Sequence, residues 1–327
     1  MNMPINPLPV VGVMIGDPAG IGPEVCARAV ASGELALLCR VVLIGDLAVM
    51  RRAAGICELE LDFVPITDPI DAPYGSSVGV LDPGTFDIAS SQFGTASAQA
   101  GEAVLRWLEM GEQLGREGKL QALVLGPMET ASMKATGKVH DMDDLQPAGT
   151  FMLRMSGSLR VVPLTEHVPL STAIEMVTPE RVLHVVRLVH RTLTEWGFAR
   201  PRIAVAGINP HAMFPEDQSK ISPAVATARE EGLDVQGPLV PDTVFRHTIE
   251  GRHDVVVTMF HDQGQIAVKT SAFEGACTVY IGLPFVMLNV PHGTAYDIAG
   301  QGVAQHLSML SAIRTAAGLA AGKPIGA

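Results

Sequence analysis

The chain has 327 residues, more than a single hydrophobic core usually serves, so two domains are expected. Hydrophobic residues make up 47% and charged residues 17%, the balance of a well-buried globular protein; a formal net charge of -11 without any Lys/Arg cluster argues against nucleic acid as a partner. No run of about 18 apolar residues occurs, so no membrane span is expected, and the opening MNMPINPLPVVG lacks the basic start and apolar core of a secretory signal, which places the chain in the cytoplasm.

Cys26, Cys39, Cys57 and Cys277 are scattered with no CxxC pair. That spacing argues against a disulfide framework and a thiolate zinc site, leaving reduced, buried, inert thiols.

Residues 9–15 read as a buried strand, followed at once by the glycine-rich turn GDPAGIGPE at 16–24. Glycines 16, 20 and 22 suit either an anion at the start of the next helix or a tight ligand-free connection, and the spacing is not GxGxxG. Strands are predicted at 40–45 and 59–66, and the Pro/Gly-punctuated stretch 67–93 reads as loop. A helix over 95–114 would bury Val104, Trp107, Leu108 and Gly111 on one face. The strand at 120–125 ends in Gly126-Pro127-Met128-Glu129-Thr130.

The segment 137–149 carries His140 among Asp141, Asp143 and Asp144, either a substrate or metal loop or an ordinary solvated turn. A strand at 159–164 leads into Thr165-Glu166-His167, and Thr178-Pro179 caps a helix whose stripe is Val182, Val185, Val186, Val189, Leu193 and Trp196. His184 and His190 on that helix read as packing or surface residues. The strand at 202–208 exits into Asn209-Pro210-His211, a helix follows at 222–231, and 237–243 reads as a loop capping a short helix at Asp242 or Thr243.

Val255, Val256, Val257 and Met259 form an apolar run too short and too β-branched for a helix, and His261-Asp262-Gln263-Gly264 stands where it emerges. Gly264 would permit a sharp exit; the plain alternative is a turn in which Asp262 bonds its own backbone. A strand at 277–281, a turn at 282–284, the segment from His292 to Gly300, and a closing helix marked by Val303, Leu307, Leu310 and Ile313 complete the chain. Strands alternating with helices predict an α/β protein with largely parallel sheets.

His167, His211 and His261 each follow a strand, and parallel strands deliver their ends to one edge. Three imidazoles there would hold a divalent ion with positions left for a substrate oxygen; the alternative is three unrelated histidines bonded to backbone.

Together GDPAGIGPE, TEHVPL at 165–170, INPHA at 208–212, PDTVF at 241–245, HDQG with Lys269, and GLPF with HGTAYDIAG at 282–300 resemble the 4-hydroxythreonine-4-phosphate dehydrogenase family nearly end to end. The resemblance implies His167, His211 and His261 as ligands of a divalent metal, zinc first, with magnesium, manganese or cobalt as alternatives. It implies NAD as oxidant and two α/β/α domains similar to isocitrate and isopropylmalate dehydrogenases, with an interdomain active site. A homodimer whose partner completes the site is also implied. The first domain would comprise 1–125 plus about 280–327, and the second, 126–279, would carry most metal ligands. Lys269 and Asp242 are the catalytic candidates; His140, Asp141, Lys269, Thr278 and Met287 the substrate contacts; His292, Gly293, Thr294 and Asp297 the cofactor contacts.

The departures from the family pattern direct the expected substrate. Val139-His140-Asp141-Met142 replaces Gly-His-Thr-Glu, Thr130 replaces a lysine, Thr278 an asparagine and Met287 a phosphate-facing arginine; residues 212–217 replace a Gly-rich acidic turn. A lost guanidinium forfeits charge-assisted bonds of about 1.5–3 kcal/mol each. A branch of the family with a Glu-Thr pair like Glu129-Thr130 oxidises the cis-dihydrodiol of terephthalate. The expectation is therefore NAD- and metal-dependent oxidative decarboxylation of terephthalate 1,2-cis-dihydrodiol to protocatechuate, in aromatic catabolism. The alternatives are 4-hydroxythreonine-4-phosphate dehydrogenase itself, a related phosphorylated sugar-acid dehydrogenase, or a metal-holding binding protein without catalysis.

Overall fold

A computed structural model describes residues 8–271 and 277–323; part of the N-terminal segment read above for a signal lies outside the described residues. In chain order the elements are β1 (Val10–Met14), α1 (Gly22–Ala31), β2 (Arg40–Ile44), α2 (Leu47–Ile56), β3 (Phe63–Ile66), β4 (Val78–Leu81), α3 (Ala98–Arg116), β5 (Ala122–Leu125) and α4 (Thr130–Lys134). Then come β6 (Phe151–Ser156), β7 (Leu159–Pro163), α5 (Leu170–Met176), α6 (Pro179–Glu195), β8 (Ile203–Ala206), α7 (Ser222–Glu230), β9 (Val235–Leu239), α8 (Val244–Ile249), β10 (Val255–Thr258), α9 (His261–Ser271) and β11 (Cys277–Ile281). Last are β12 (Val286–Asn289) and α10 (Leu307–Ala320). The expected α/β class is the observed one.

The chain divides into two compact units, one running to Gln146 and resuming over Leu283–Ala321, the other spanning Pro147–Gly282. The segment after β5 belongs to the first unit because its side chains bond there: Thr294 Oγ1 donates to Glu129 Oε2 (2.7 Å), and Ser132 Oγ meets Tyr296 Oη (3.1 Å).

In the first unit the strand order is β3-β4-β2-β1-β5-β12, with every neighbouring pair parallel. Near-continuous apolar runs such as VVGVM and ALVL are buried along their whole length, as strands covered on both faces require. In the second unit the order is β11-β6-β7-β10-β8-β9; β7, β10, β8 and β9 are parallel, while β6 runs against both β11 and β7. Leu159, Val161, Ala204, Val256, Val244 and Val268 share one core there. Full burial of each valine or leucine contributes about 1.5–3 kcal/mol.

Several expectations change. The stretch read as loop at 67–93 holds β4, an internal strand hidden by its short length and its glycine. Pro238, read as loop, lies in β9 at the sheet edge, where a missing N–H is tolerated. The short helix α8 follows Thr243, but no side chain caps it. His261 opens α9 rather than a turn, and Gly264 serves close packing instead of a sharp exit: a Cβ there would stand 2.6 Å from Val161 Cγ1 and 2.8 Å from Thr258 Oγ1. Val303 and Leu307 are exposed, and the buried stripe of α10 starts at Met309 and Leu310. The four cysteines are free and buried, and burial pushes Cys26, Cys39 and Cys277 up to about 12, which leaves them as unreactive thiols. Among the described residues no helix is long and apolar enough to cross a membrane.

Candidate functional site

Parallel strands in the second unit send three loops from one sheet edge. β7 exits into Glu166-His167, β10 into His261, and β8, which pairs with β10, into Asn209-Pro210-His211. His167 and His261 come together: their ring centroids are 4.8 Å apart. With Glu166 they offer two imidazole nitrogens and a carboxylate oxygen, all within 4.8 Å of one another. His211 is exposed and falls outside that group among the described residues.

Each ligand loop is fixed from below. Gln263 accepts the Met259 N–H (2.8 Å) through Oε1 and donates through Nε2 to the Gly207 carbonyl (2.8 Å), tying the exits of β10 and β8 together. The fully buried Asp217 accepts N–H bonds from Ile208 (2.7 Å), Asn209 (3.3 Å) and Phe214 (3.2 Å), closing the loop around His211. Within it His211 and Ala212 take φ of 59° and 53°, a left-handed conformation that costs on the order of 1–3 kcal/mol per strained residue. Asp262, 75% exposed, sits 2.7 Å from His261 Nδ1, so Nε2 is the nitrogen left for a ligand, an arrangement typical of carboxylate-oriented metal histidines. Two imidazoles with an oxygen donor fit a borderline-soft divalent ion such as zinc.

Beside this cluster stands a residue that position-by-position sequence reading passed over. Arg154 on β6 is buried and grips Glu166 with both arms of its guanidinium, at 3.0 and 2.6 Å. The signal was available: an arginine within Phe151-Met152-Leu153-Arg154-Met155 has no reason to be in a buried strand unless paired. Asp217 carried no such mark.

The first unit also gathers polar groups at the carboxyl ends of its strands. After β1, Asp17 is fully buried and accepts from the Ala19 N–H (2.8 Å) and Tyr296 Oη (3.0 Å). Burial raises its pKa above the usual carboxylate range, with Glu129's charge adding to the effect and the bonds to Ala19, Ser132 and Tyr296 opposing it. Burial likewise raises the Tyr296 phenol. The glycines of GDPAGIGPE serve close backbone approach here: Gly16, with φ of 79°, lies against the Pro127 carbonyl, and a Cβ on Gly20 would stand 2.9 Å from Thr294 Cβ. Glu24 in the first turn of α1 accepts the Gly300 (2.6 Å) and Gly302 (2.9 Å) N–H groups.

The remaining candidates are placed as follows. Lys269 in the last turn of α9 and Asp242 before α8 are exposed, and neither side chain has an ion-pair partner among the described residues. Asp141 caps a 3₁₀ turn by accepting the Met142 N–H (2.6 Å), and Asp144 Oδ2 accepts the His140 (2.7 Å) and Asp141 (3.1 Å) N–H groups. Those bonds hold Asp144 below the usual carboxylate range. Thr294 is buried and spent on Glu129, Gly293 and Asp297 are exposed, and His292 keeps Nε2 buried with no hydrogen-bond partner among the described residues. An orphaned ring nitrogen of this kind fits a polar group of a bound cofactor.

The sequence profile of the family described as pyridoxal phosphate biosynthetic protein PdxA matches residues 37–316. The chain belongs to the PdxA family. Within reach of it are a protein of Novosphingobium aromaticivorans provisionally named a 4-hydroxythreonine-4-phosphate dehydrogenase, 42% identical over 325 residues and 96% of each chain, and one of Symbiobacterium thermophilum provisionally named a D-threonate 4-phosphate dehydrogenase, 38% identical over 96% of this chain and 97% of that one. The crystal structure of a 4-hydroxythreonine-4-phosphate dehydrogenase from Burkholderia phymatum superposes with a TM-score of 0.85 at 36% identity, covering 96% of this chain and 99% of that one. A terephthalate 1,2-cis-dihydrodiol dehydrogenase from Burkholderia xenovorans LB400 gives 0.74 at 27%, covering 97% and 99%.

These likenesses overturn the expectation of a decarboxylating terephthalate dihydrodiol dehydrogenase in aromatic catabolism; they favour the phosphorylated-substrate PdxA enzymes. The expectation counted Thr278 and Met287 as a dismantled phosphate pocket. Met287 is fully buried in β12. Thr278 is the direct register partner of Arg154 across the β11/β6 ladder, so the two share a face and a guanidinium stands on the neighbouring strand. Both arms of that guanidinium are held by Glu166.

Proposed function

We propose that the protein is a cytoplasmic, NAD-dependent dehydrogenase that oxidises a secondary alcohol of a phosphorylated hydroxy acid, 4-hydroxythreonine 4-phosphate or a sugar acid such as D-threonate 4-phosphate. A divalent ion, zinc first, would be held at His167, His261 and His211. The observation that carries this reading is the convergence of His167 and His261 at neighbouring parallel strand ends in a chain whose similar proteins bear these dehydrogenase names.

An ion held by these residues would supply polarisation of the substrate hydroxyl oxygen, and bound NAD would supply the hydride acceptor. The protein's own residues then have separate tasks. Asp262 fixes the ring orientation of His261, Gln263 sets the spacing of the loops after β10 and β8, and Asp217 closes the loop carrying His211. Lys269 supplies a mobile cation for a substrate anion and, with Asp242, a route for the hydroxyl proton. His292, Gly293, Thr294 and Asp297 are proposed for the cofactor, with His292 Nε2 the atom that awaits a partner. Exposed Val168 and Leu170 flank His167, and exposed Met213 and Phe214 follow His211; apolar side chains next to ligand loops support a homodimer whose second copy covers them. Light scattering on the eluting peak would read that assembly directly.

The activity test is spectrophotometric. Purified protein with NAD and zinc, manganese, cobalt or magnesium is given each phosphorylated acid, and reduced nicotinamide is followed by absorbance. Turnover with one of the two, abolished by a chelator, is expected. Absence of reduced nicotinamide with both acids and every ion would remove the reading.

A further inference from the structure

We propose that Glu166 is a protein ligand of the divalent ion in addition to the histidines and that Arg154 is the positioning residue that holds its carboxylate toward the imidazoles of His167 and His261. The inference rests on the metal reading given above and adds to it a donor that the three-histidine pattern does not contain.

Glu166 and His167 lie beyond the end of β7, where the turn of the chain sets how two adjacent side chains reach one ion. The Val168 N–H donates to the Glu166 carbonyl at 2.8 Å, closing a three-residue turn centred on His167. That turn brings both side chains into the group with His261. An ion about 2.0–2.2 Å from each donor in tetrahedral geometry sets donor separations of roughly 3.4 Å. The observed spacing of at most 4.8 Å closes to that by small side-chain rotations.

The ion pair is built to present the acid, not the base. The side chain of Arg154 is 6% exposed and that of Glu166 16%. The guanidinium is pinned at both ends of its fork, with Nη2 also 3.6 Å from Met152 Sδ. A forked pair uses one lone pair on each carboxylate oxygen and leaves the others free to bind an ion. As a source of stability alone a buried Arg–Glu pair is a poor choice, since an apolar pair of similar volume serves as well or better. Beside two imidazoles the pair acquires a use. The arginine cancels the carboxylate's charge, so the ion gains an oxygen donor and keeps its full power to polarise a substrate oxygen.

The test measures metal binding without turnover. Zinc affinity is read by competition with a chromophoric chelator, and coordination by the visible spectrum of the cobalt(II)-loaded protein. Glu166→Gln should weaken zinc on the order of 10–100-fold and change the cobalt spectrum, while Arg154→Lys, which keeps the charge but loses the fork, should give a smaller shift of the same sign. Because breaking one half of a buried pair threatens folding, the double variant Arg154→Met with Glu166→Met supplies a folded comparison; weakened zinc binding with an unchanged circular dichroism spectrum is expected. Wild-type zinc affinity and cobalt spectrum in Glu166→Gln and in the double variant, with binding lost in His261→Ala, would overturn the proposal and leave the histidine site standing. Unchanged zinc affinity in both His167→Ala and His261→Ala would mean the metal reading itself had failed, and this inference with it.

Discussion

The two units use the same edge of the same kind of sheet in opposite ways. In the first, the carboxylates are spent on neighbouring groups, Asp17 on Ala19 and Tyr296, Glu129 on Thr294, Glu24 on the Gly300 and Gly302 amides, and His292 Nε2 stands without a partner among the described residues. In the second, bracing and chemistry are divided. Asp217 and Gln263 satisfy backbone groups, while His167, His261 and Glu166 converge with a ligand atom each within 4.8 Å of the others. The lesson is that a strand-end location selects candidates, and only the account of who already holds whom separates a brace from a ligand.

That contrast can be broken in a graded way. The largest effect is expected from His261→Ala: a loss of on the order of 100-fold or more in turnover with thermal stability within a degree or two of wild type, because the ring supports no backbone. A large fall in stability instead would move His261 to the bracing class. Next, Asp217→Ala should cost about 3 kcal/mol in denaturant unfolding, since three backbone N–H groups lose a fully buried carboxylate acceptor; a cost under about 1 kcal/mol would show that water replaces the carboxylate.

A smaller loss is expected from Gly264→Ala. Alanine gains up to about 1 kcal/mol in helix propensity, but its methyl meets the fully buried Val161 and Thr258, and overpacking of this kind costs about 1–3 kcal/mol. Net destabilisation follows, and a stabilised variant would mean that α9 lifts off its strands freely.

The mildest test addresses Asp17. Burial holds its folded pKa above the ordinary 3.8, so the folded state binds the proton more tightly than the unfolded chain. Its contribution is fully present below the unfolded value and is lost as pH rises through the raised folded one. Asp17→Asn, neutral throughout, should therefore gain in Tm on wild type as pH rises above the ordinary 3.8. A melting difference independent of pH would show that Asp17 is held ionised by its bonds.

Much of the scaffold was legible because buried parallel strands and the helices between them announce themselves: VVGVM, ALVL and the α6 stripe were read correctly. β4, β6 and β12 escaped because runs of four to six residues, broken by a glycine in β4 and an arginine in β6, carry too little period to separate from loop. At the site, His167 and His261 could be paired from strand ends alone. Arg154 could be flagged as a charge inside an apolar run, but its partner Glu166, twelve positions on and past β7, could not be named from the sequence. Gly264 was misassigned because close packing and chain reversal ask for the same residue.

Gln263 grips main-chain atoms only, an amide at 259 and a carbonyl at 207. Such a clasp is blind to the side chains around it. The imidazole-bearing loops after β8 and β10 therefore keep their registration through main-chain atoms alone, and side chains around the clasp can change without loosening that anchorage.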